Sequence, residues 1–327
     1  MKIHAVFNRD GGTFRTTDME AYAGNAERIF SERGNTFSYD IVGGDEIEET
    51  LKRASGRDDL GAMLAGGGDG TISLAAGLCW KNGMPLGVIP AGTMNLFARA
   101  LGMPLDIEAA LPVLASGKVR DCDIASANGK SFIHQYSVGL HSRMVRVRNS
   151  YQFRSKFGKM RASMRAVFQT IIDPPAFDSV YRIEGAEEER RVSAISVSNN
   201  LFSDDPLLYP STLSGGELGV YIADAMRPAG VAKLVFDILR GKLRLNEEVQ
   251  ARGADSVELS FPKLPKRASA VMDGELTPLE RDVTVRMHAG ELKILAPDEN
   301  ASEEEPSWFS SVAGGQTATE TPSRRSS

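Results

Sequence analysis

Three short stretches of this chain hold residues able to do chemistry. The first is Ala65-Gly66-Gly67-Gly68-Asp69-Gly70-Thr71. An apolar run, Leu60 to Leu64, precedes it and reads as a buried strand. Ile72 to Trp80, apolar and alanine-rich, follows and reads as a helix. Glycines let backbone approach a ligand closely, and a helix start presents N–H groups that no helical carbonyl uses. The stretch therefore reads as a phosphate cradle. It is neither the loop that ends in Gly-Lys-Ser/Thr nor the fingerprint of three spaced glycines. The plain alternative is a tight turn without a ligand, and three consecutive glycines before Asp-Gly-Thr weigh against it. The second stretch runs from Gly87 to Arg99, where Gly92, Thr93 and Asn95 sit at a strand end before a new helix. Thr93 could equally be a simple N-cap. The third is Asp273-Gly274-Glu275, which ends an apolar strand. Asp-Gly is a strong hairpin signal. The same aspartate could instead take a proton from a substrate hydroxyl, with Glu275 assisting or binding metal.

A fourth feature is a basic stretch. From His141 through Ile172 there are eight bases (Arg143, Arg146, Arg148, Arg154, Lys156, Lys159, Arg161, Arg165) and no acid, interleaved with aromatic and aliphatic residues. This pattern suits an anionic membrane surface, or else a solvated helix face paired with acids elsewhere. The four histidines (His4, His134, His141, His288) show no metal-binding spacing, and His134 and His141 read as structural.

The elements that must position these residues follow from pattern. Lys2 to Phe7 is a strand ending at Asn8 and a Gly11-Gly12 turn. Thr17-Asp18 caps a helix to about Arg33, and Thr36 to Val42 is a second strand. A charged helix to about Ala54, the strand before the glycines, a helix over 71–82 and a short strand from Pro85 to Pro90 complete the first part. Alternating strands and helices predict a parallel sheet, with ligands at the carboxyl ends of its strands. Asn8, Gly66 to Thr71 and Gly92 to Asn95 all fall at those ends. After Gly117 the character changes. Val119 to Ala125 and Ser131 to Ser137 read as a hairpin about Asn128-Gly129. Strand-like runs recur at 177–184, 191–198, 217–223, 255–260, 268–272, 282–288 and 291–295, with helical insertions at 141–172 and 228–240. The expected organisation is a parallel-sheet α/β nucleotide-binding domain over 1–116 and an antiparallel β-sandwich domain with helical insertions over 117–297. A disordered tail over 298–327 completes it, in which Trp308-Phe309 reads as incidental.

The totals fit this plan. The chain has 327 residues, 42% of them hydrophobic, and 38 bases against 43 acids. A near-neutral body makes no case for nucleic-acid binding. Cys79 and Cys122 lie in apolar patterns and read as core thiols in a reducing compartment. The opening Met1–Asn8 reads as a first strand rather than a signal peptide, and no apolar stretch reaches transmembrane length. A cytoplasmic protein able to touch the inner membrane face is expected.

The combination of Gly-Gly-Asp-Gly-Thr, the run Pro90-Ala91-Gly92-Thr93-Met94-Asn95-Leu96-Phe97-Ala98-Arg99-Ala100-Leu101-Gly102-Met103-Pro104 and the later Asp273-Gly274-Glu275 resembles the diacylglycerol kinase catalytic-domain family. That family includes bacterial soluble lipid kinases, sphingosine kinases and ceramide kinases. The resemblance spans about 1–297. It implies ATP bound in a cleft between the two domains, with Mg²⁺, and transfer of the γ-phosphoryl group to a lipid hydroxyl at a membrane surface. By position it implies that Gly67, Gly68, Asp69, Gly70 and Thr71 hold nucleotide phosphates, with Asn8, Gly92, Thr93 and Asn95 nearby. Asp273 would be the base and Glu275 its neighbour. The chain departs from the family at several places. Leu96 stands where an aspartate is frequent. Gly215 stands where an acid is frequent, which leaves Glu217 as the candidate for the family's structural Mg²⁺ site. The family's threonine is not evident at Val42-Gly43-Gly44, and Leu201 to Pro206 replaces a glycine-rich stretch. The partners implied are ATP and a lipid, with no nucleic acid and with a homodimer compatible. Two other readings stand beside this one. An NAD kinase-like enzyme shares Gly-Gly-Asp-Gly-Thr, but its usual downstream Asn-Glu pair is not found near the motif. A nucleotide-binding regulator without catalysis would explain Leu96 and Gly215.

Overall fold

The structure, a computed structural model, describes residues 1–149, 167–265 and 267–297. Five bases of the expected basic stretch, Arg154 to Arg165, and the whole tail from residue 298 lie outside them.

The first half winds as its pattern predicts. Strands β1 (Lys2–Asn8), β2 (Thr36–Val42), β3 (Ala62–Gly67) and β4 (Leu86–Pro90) pair in parallel in the order β2-β1-β3-β4. Helices α1 (Met19–Glu32), α2 (Ile47–Ser55) and α3 (Asp69–Asn82) alternate with them, followed by α4 (Leu96–Ala100) and α5 (Ile107–Ala115). Asp18 caps α1 by accepting the Ala21 N–H. Strands β1, β3 and β4 are largely apolar on both faces because helices cover both, and Ile3, Val6, Phe7, Leu64 and Ile89 are fully buried, while edge strand β2 is only partly covered. Each such side chain contributes about 1.5–3 kcal/mol by leaving water. Strand β3 begins two residues later than the apolar run Leu60 to Leu64 and continues through Gly66 and Gly67. Those glycines are thus buried ladder positions, and Phe7 and Phe14 fill the space a Cβ on Gly66 would need.

The second half is antiparallel. It comprises β5 (Lys118–Ala127), β6 (Lys130–Phe132), β7 (Gln135–Gly139), β8 (Phe177–Ile183), β9 (Ala186–Asn199) and β10 (Leu218–Asp224). It continues with β11 (Val249–Ala254), β12 (Ser256–Ser260), β13 (Ser269–Met272), β14 (Glu275–Pro278) and β15 (Asp282–Ala296). Helix α6 (Leu140–Asn149) and helix α7 (Pro228–Leu239) are the insertions, and residues 167–172 are helical. The two runs at 282–288 and 291–295 are one strand, β15, with a register shift between His288 and Leu292. Strands β11 and β14 have no counterpart in the sequence reading. Each pairs on one side only, so neither carries a strong apolar alternation.

The run Ser131 to Ser137 does not form one hairpin partner. Asn128 and Gly129 make the turn, both with positive φ, and β6 pairs with β5. The chain then leaves that ladder, and β7 pairs with β13 and β9. The N–H groups of Ile133, His134 and Gln135 turn instead to a side chain, that of Asp273.

Strand β15 joins the halves. Its last residues pair in parallel with β4 (Ile294 with Leu86), while its length pairs antiparallel with β5 and β12. One apolar core therefore runs from the helices of the first half to Ile124, Ile133, Leu292, Ile294, Leu295 and Ala296. A second fills the antiparallel half, and a third lies beneath α7. Ile294 is fully buried in the shared core. The variant Ile294→Ala is expected to lose about 2–5 kcal/mol of stability, measured by urea denaturation followed by circular dichroism.

Candidate active site

The loops after β1, β3 and β4 meet at one sheet edge, and backbone holds them together. Thr13 N–H donates to the Ala91 carbonyl (2.8 Å), and Ala91 N–H donates to the Gly67 carbonyl (3.0 Å). A Cβ on Gly12 would stand 2.3 Å from the Ala91 oxygen, and one on Gly92 would stand 2.8 Å from Gly68 Cα. Glycine at these points is a requirement of close approach, and Gly12 is a member of the cradle that the sequence reading passed over. Its neighbours in Asn8-Arg9-Asp10-Gly11-Gly12 were the available signal.

Most side chains nominated from the sequence are spent on building these loops. Asn8 Nδ2 donates to Thr71 Oγ1 (3.0 Å), and the Thr71 side chain packs beneath Gly67. Asp69 reaches across to the next loop, accepting the N–H groups of Asn95 (3.0 Å) and Leu96 (2.7 Å) on separate oxygens. It thereby caps α4 from outside, a role that the plain alternative gave to Thr93. Thr93 is exposed instead. Asn95, at positive φ, accepts the Gly92 N–H on its Oδ1 and donates to the Pro90 and Gly92 carbonyls. What remains facing outward is backbone. Helix α3 opens at Gly68 with no side-chain cap, and Gly70 is exposed with open space around its Cα. A 14-residue helix with its first turn left open beside three glycine loops suits an anion.

Asp273 sits at the turn between β13 and β14, with Asp273 and Gly274 both at positive φ. The hairpin turn and the chemically placed carboxylate coexist. Asp273 Oδ1 accepts N–H groups from His134 (2.9 Å) and Gln135 (3.0 Å). Its Oδ2 accepts Ile133 N–H (2.9 Å) and the Ser73 hydroxyl (2.5 Å). Ser73 lies on α3, one turn on from Asp69, so the helix that opens at the glycines carries Asp273 on its side. This is how two motifs 200 residues apart come together. A carboxylate has about four lone-pair positions, and here all four are engaged. Ser73 was not singled out in the sequence, since one serine in an apolar helix carries no signal of its own.

His134 lines the same region. Burial pushes its pKa down, while the Asp273 and Asp69 charges pull it up, so it senses both motifs. Its ring packs on Phe202 (5.6 Å between centroids). Beyond Phe202 opens a cleft of about 320 Å³ whose walls include Asn200, Ser203, Thr212, Glu217 and Arg244. Glu217 lies there, against Gly253. The Asp273 carboxylate is held by Ser73 and residues 133–135, and Glu275 is exposed at the start of β14. Among the described residues no three His, Cys, Asp or Glu side chains gather as a metal cage.

Gln135 also links the site to α6. Its amide stands 3.3 Å from His141 Nδ1, which Ser137 Oγ meets at 2.7 Å. Burial, with smaller contributions from His134 and Arg148, lowers the His141 pKa to about 4.

Comparison with known proteins bears out the resemblance read from the motifs. Residues 2–127 match the family model of the diacylglycerol kinase catalytic domain. A diacylglycerol kinase of Staphylococcus saprophyticus is 26% identical over 227 residues, covering 66% of this chain and 71% of that one. An uncharacterized protein of Synechocystis is 27% identical over 269 residues, 78% of this chain but 60% of that relative's length. A solved structure of a diacylglycerol kinase from Bacillus anthracis superimposes with a TM-score of 0.66 at 15% identity, covering 90% of this chain and 96% of that one. That last likeness speaks for the fold.

Two outcomes follow from the geometry. Asp69→Ala strands the Asn95 and Leu96 N–H groups. It is expected to cost about 1–3 kcal/mol, with faster hydrogen exchange at those two amides. His141 binds a proton near pH 4 when folded and near 6.5 when unfolded. Its contribution to stability is therefore full above pH 6.5 and is lost as pH falls toward 4. Denaturation midpoints measured across that window should decline, and less steeply in His141→Gln.

Proposed function

We propose that this chain, whose residues 2–127 carry a diacylglycerol kinase-family catalytic domain, is an ATP-dependent lipid kinase with a diacylglycerol-like alcohol as acceptor. The observation that carries the reading is the Ser73–Asp273 contact, which sets a carboxylate on the flank of the helix that opens at the glycine cradle. Phosphoryl transfer asks mainly for positioning and charge stabilisation, and little covalent chemistry from the protein. The α3 N-terminus and the N–H groups around Gly68 and Gly70 would receive the nucleotide phosphates, while Gly67 is held in the β3 ladder beneath them. Gly12 and Gly92 let the loops around them close on one another by carrying no Cβ, and Gly70 leaves open space at the start of α3.

The acceptor hydroxyl would replace Ser73 Oγ on Asp273 Oδ2, since no other lone pair of that carboxylate is unengaged. From there its oxygen attacks the γ-phosphorus while its proton passes to Asp273. The bond to the β-phosphate oxygen breaks, and ADP departs. His134 and Phe202 form an apolar wall on the acceptor side. Mg²⁺, when bound, neutralises charge developing on the phosphates. Asp69 fits as a carboxylate ligand, because each of its oxygens accepts one N–H and keeps a lone pair. With no cage of protein ligands among the described residues, most of that coordination falls to the phosphates.

Incubation with labelled ATP and a total lipid extract, followed by mass identification of the product, tests the reading. A labelled lipid is expected, and tight nucleotide binding with no labelled lipid would replace the kinase with a regulator. Asp273→Asn is expected to lower kcat by about 10²–10⁴-fold with nucleotide affinity retained. Ser73→Ala removes the group that the acceptor must displace. It should lower the acceptor KM about fivefold, equivalent to one net hydrogen bond, with kcat little changed in steady-state assays.

A further inference from the structure

Four of the large apolar side chains on this protein stand more than half exposed on just two helical segments. Phe168 (63%) and Ile172 (57%) belong to residues 167–172, and Phe236 (56%) and Leu239 (65%) belong to α7. The segments share a foundation. Ile171 from the first, and Val235 and Ile238 from α7, pack on the third core cluster with Phe202, Tyr221, Val231 and Leu234. Each helix therefore roots one face in the protein and turns bulky apolar groups outward. Single exposed leucines are ordinary, but a concentration of this kind marks a surface that meets something apolar.

Charge says what that is. The stretch 141–172 has eight bases and no acid, and 227–245 has five bases (Arg227, Lys233, Arg240, Lys242, Arg244) against one acid, Asp237. Glu248 lies against Gly230 and Asp204 near Gly241, while three other nearby acids have partners. Asp173 pairs with Arg143, Asp237 accepts from Asn246 Nδ2, and Glu247 stands near Lys233. Arg240 lies over the Phe236 ring, 5.3 Å from its centroid, so an apolar and a cationic group are presented together. Outward aromatic and aliphatic side chains in segments rich in Lys and Arg, with Arg240 set over Phe236, match the boundary between acyl chains and anionic headgroups.

We infer that the outer face formed by α7 and residues 167–172 seats the protein on an anionic lipid bilayer, with Phe168, Ile172, Phe236 and Leu239 entering the acyl boundary. The inference rests on the lipid-kinase reading for its purpose and extends it by assigning the surface. That surface lies over the same cluster as Phe202, which also borders the cleft and touches His134. A lipid headgroup leaving the bilayer there would have a short route toward Asp273.

The test is cosedimentation of the full chain with phosphatidylcholine vesicles, with and without phosphatidylglycerol, beside an assay on a water-soluble short-chain acceptor. Wild type should bind the anionic vesicles, and less so as salt rises. Phe236→Ser with Leu239→Ser, and separately Arg240→Glu with Lys242→Glu, should each weaken vesicle binding at least tenfold and leave turnover of the soluble acceptor unchanged. These positions are exposed, so an unchanged thermal midpoint checks folding. If one pair fails to fold, the other decides. Vesicle binding retained in the folded variants overturns the inference, as does a wild type that binds nucleic acid or self-associates through this face without binding vesicles. Vesicle binding lost in the variants, with no turnover of any acceptor by wild type, would sustain the surface and sink the kinase reading.

Discussion

The Asp273 carboxylate is the interaction on which the arrangement of this protein depends. It accepts three consecutive backbone N–H groups, from Ile133, His134 and Gln135, and the hydroxyl of Ser73. Hydrogen bonds to an ionised acceptor are roughly twice as strong as neutral ones, and four on one carboxylate leave it little freedom. The three amides pull the chain out of the β5–β6 ladder and set the start of β7. The hydroxyl ties the β13–β14 turn to α3. The same few atoms thus set the course of the chain into β7, tie the β13–β14 turn to α3 and hold the proposed base.

The cradle at the other end of α3 is built on a different principle. Apart from the exposed Thr93, its nominated polar side chains hold loops: Asn8 on Thr71, Asp69 on the start of α4, Asn95 on its own turn. Its ligand-facing surface is N–H groups and glycine Cα atoms. Such a surface is crosslinked loop by loop and makes few side-chain demands on a ligand. In the proposed kinase, discrimination between acceptors would fall to the other side, where His134, Phe202 and the cleft beyond them differ in character from the cradle. The departures from family pattern at Gly215 and Leu201 to Pro206 also fall there, since Gly215 and Leu201 to Asp204 line that cleft.

Much of the parallel half was legible in the sequence because its signals are local. Apolar strands of the right length, Asp18 as a cap and glycines at strand ends each act within a few residues, and a helix or strand responds to its own periodicity. The glycine turn and the Asp-Gly turn were legible for the same reason. The antiparallel half was read less well. Strand β11 has one partner and a polar sequence, and β15 reads as two runs because a register shift near Gly290 interrupts its alternation. The division of Ser131 to Ser137 between two strands depends on a carboxylate some 140 residues away, which no local pattern encodes.

By itself, then, the sequence determined the class of each half, the edge at which the loops gather and the residues worth watching, since propensity, periodicity and turn chemistry act over short spans. Only the tertiary structure decided what those residues do. It turned Asp69 from a phosphate neighbour into the cap of α4, added Gly12 and Ser73, and brought Asp273 onto α3 while leaving Glu217 in the cleft wall and Glu275 in solvent. It also set four apolar side chains outward on two segments that share one core. These outcomes depend on which groups satisfy one another across hundreds of residues. A buried or half-buried polar atom takes whichever partner the packed chain delivers, and that partner exists only once the chain has folded.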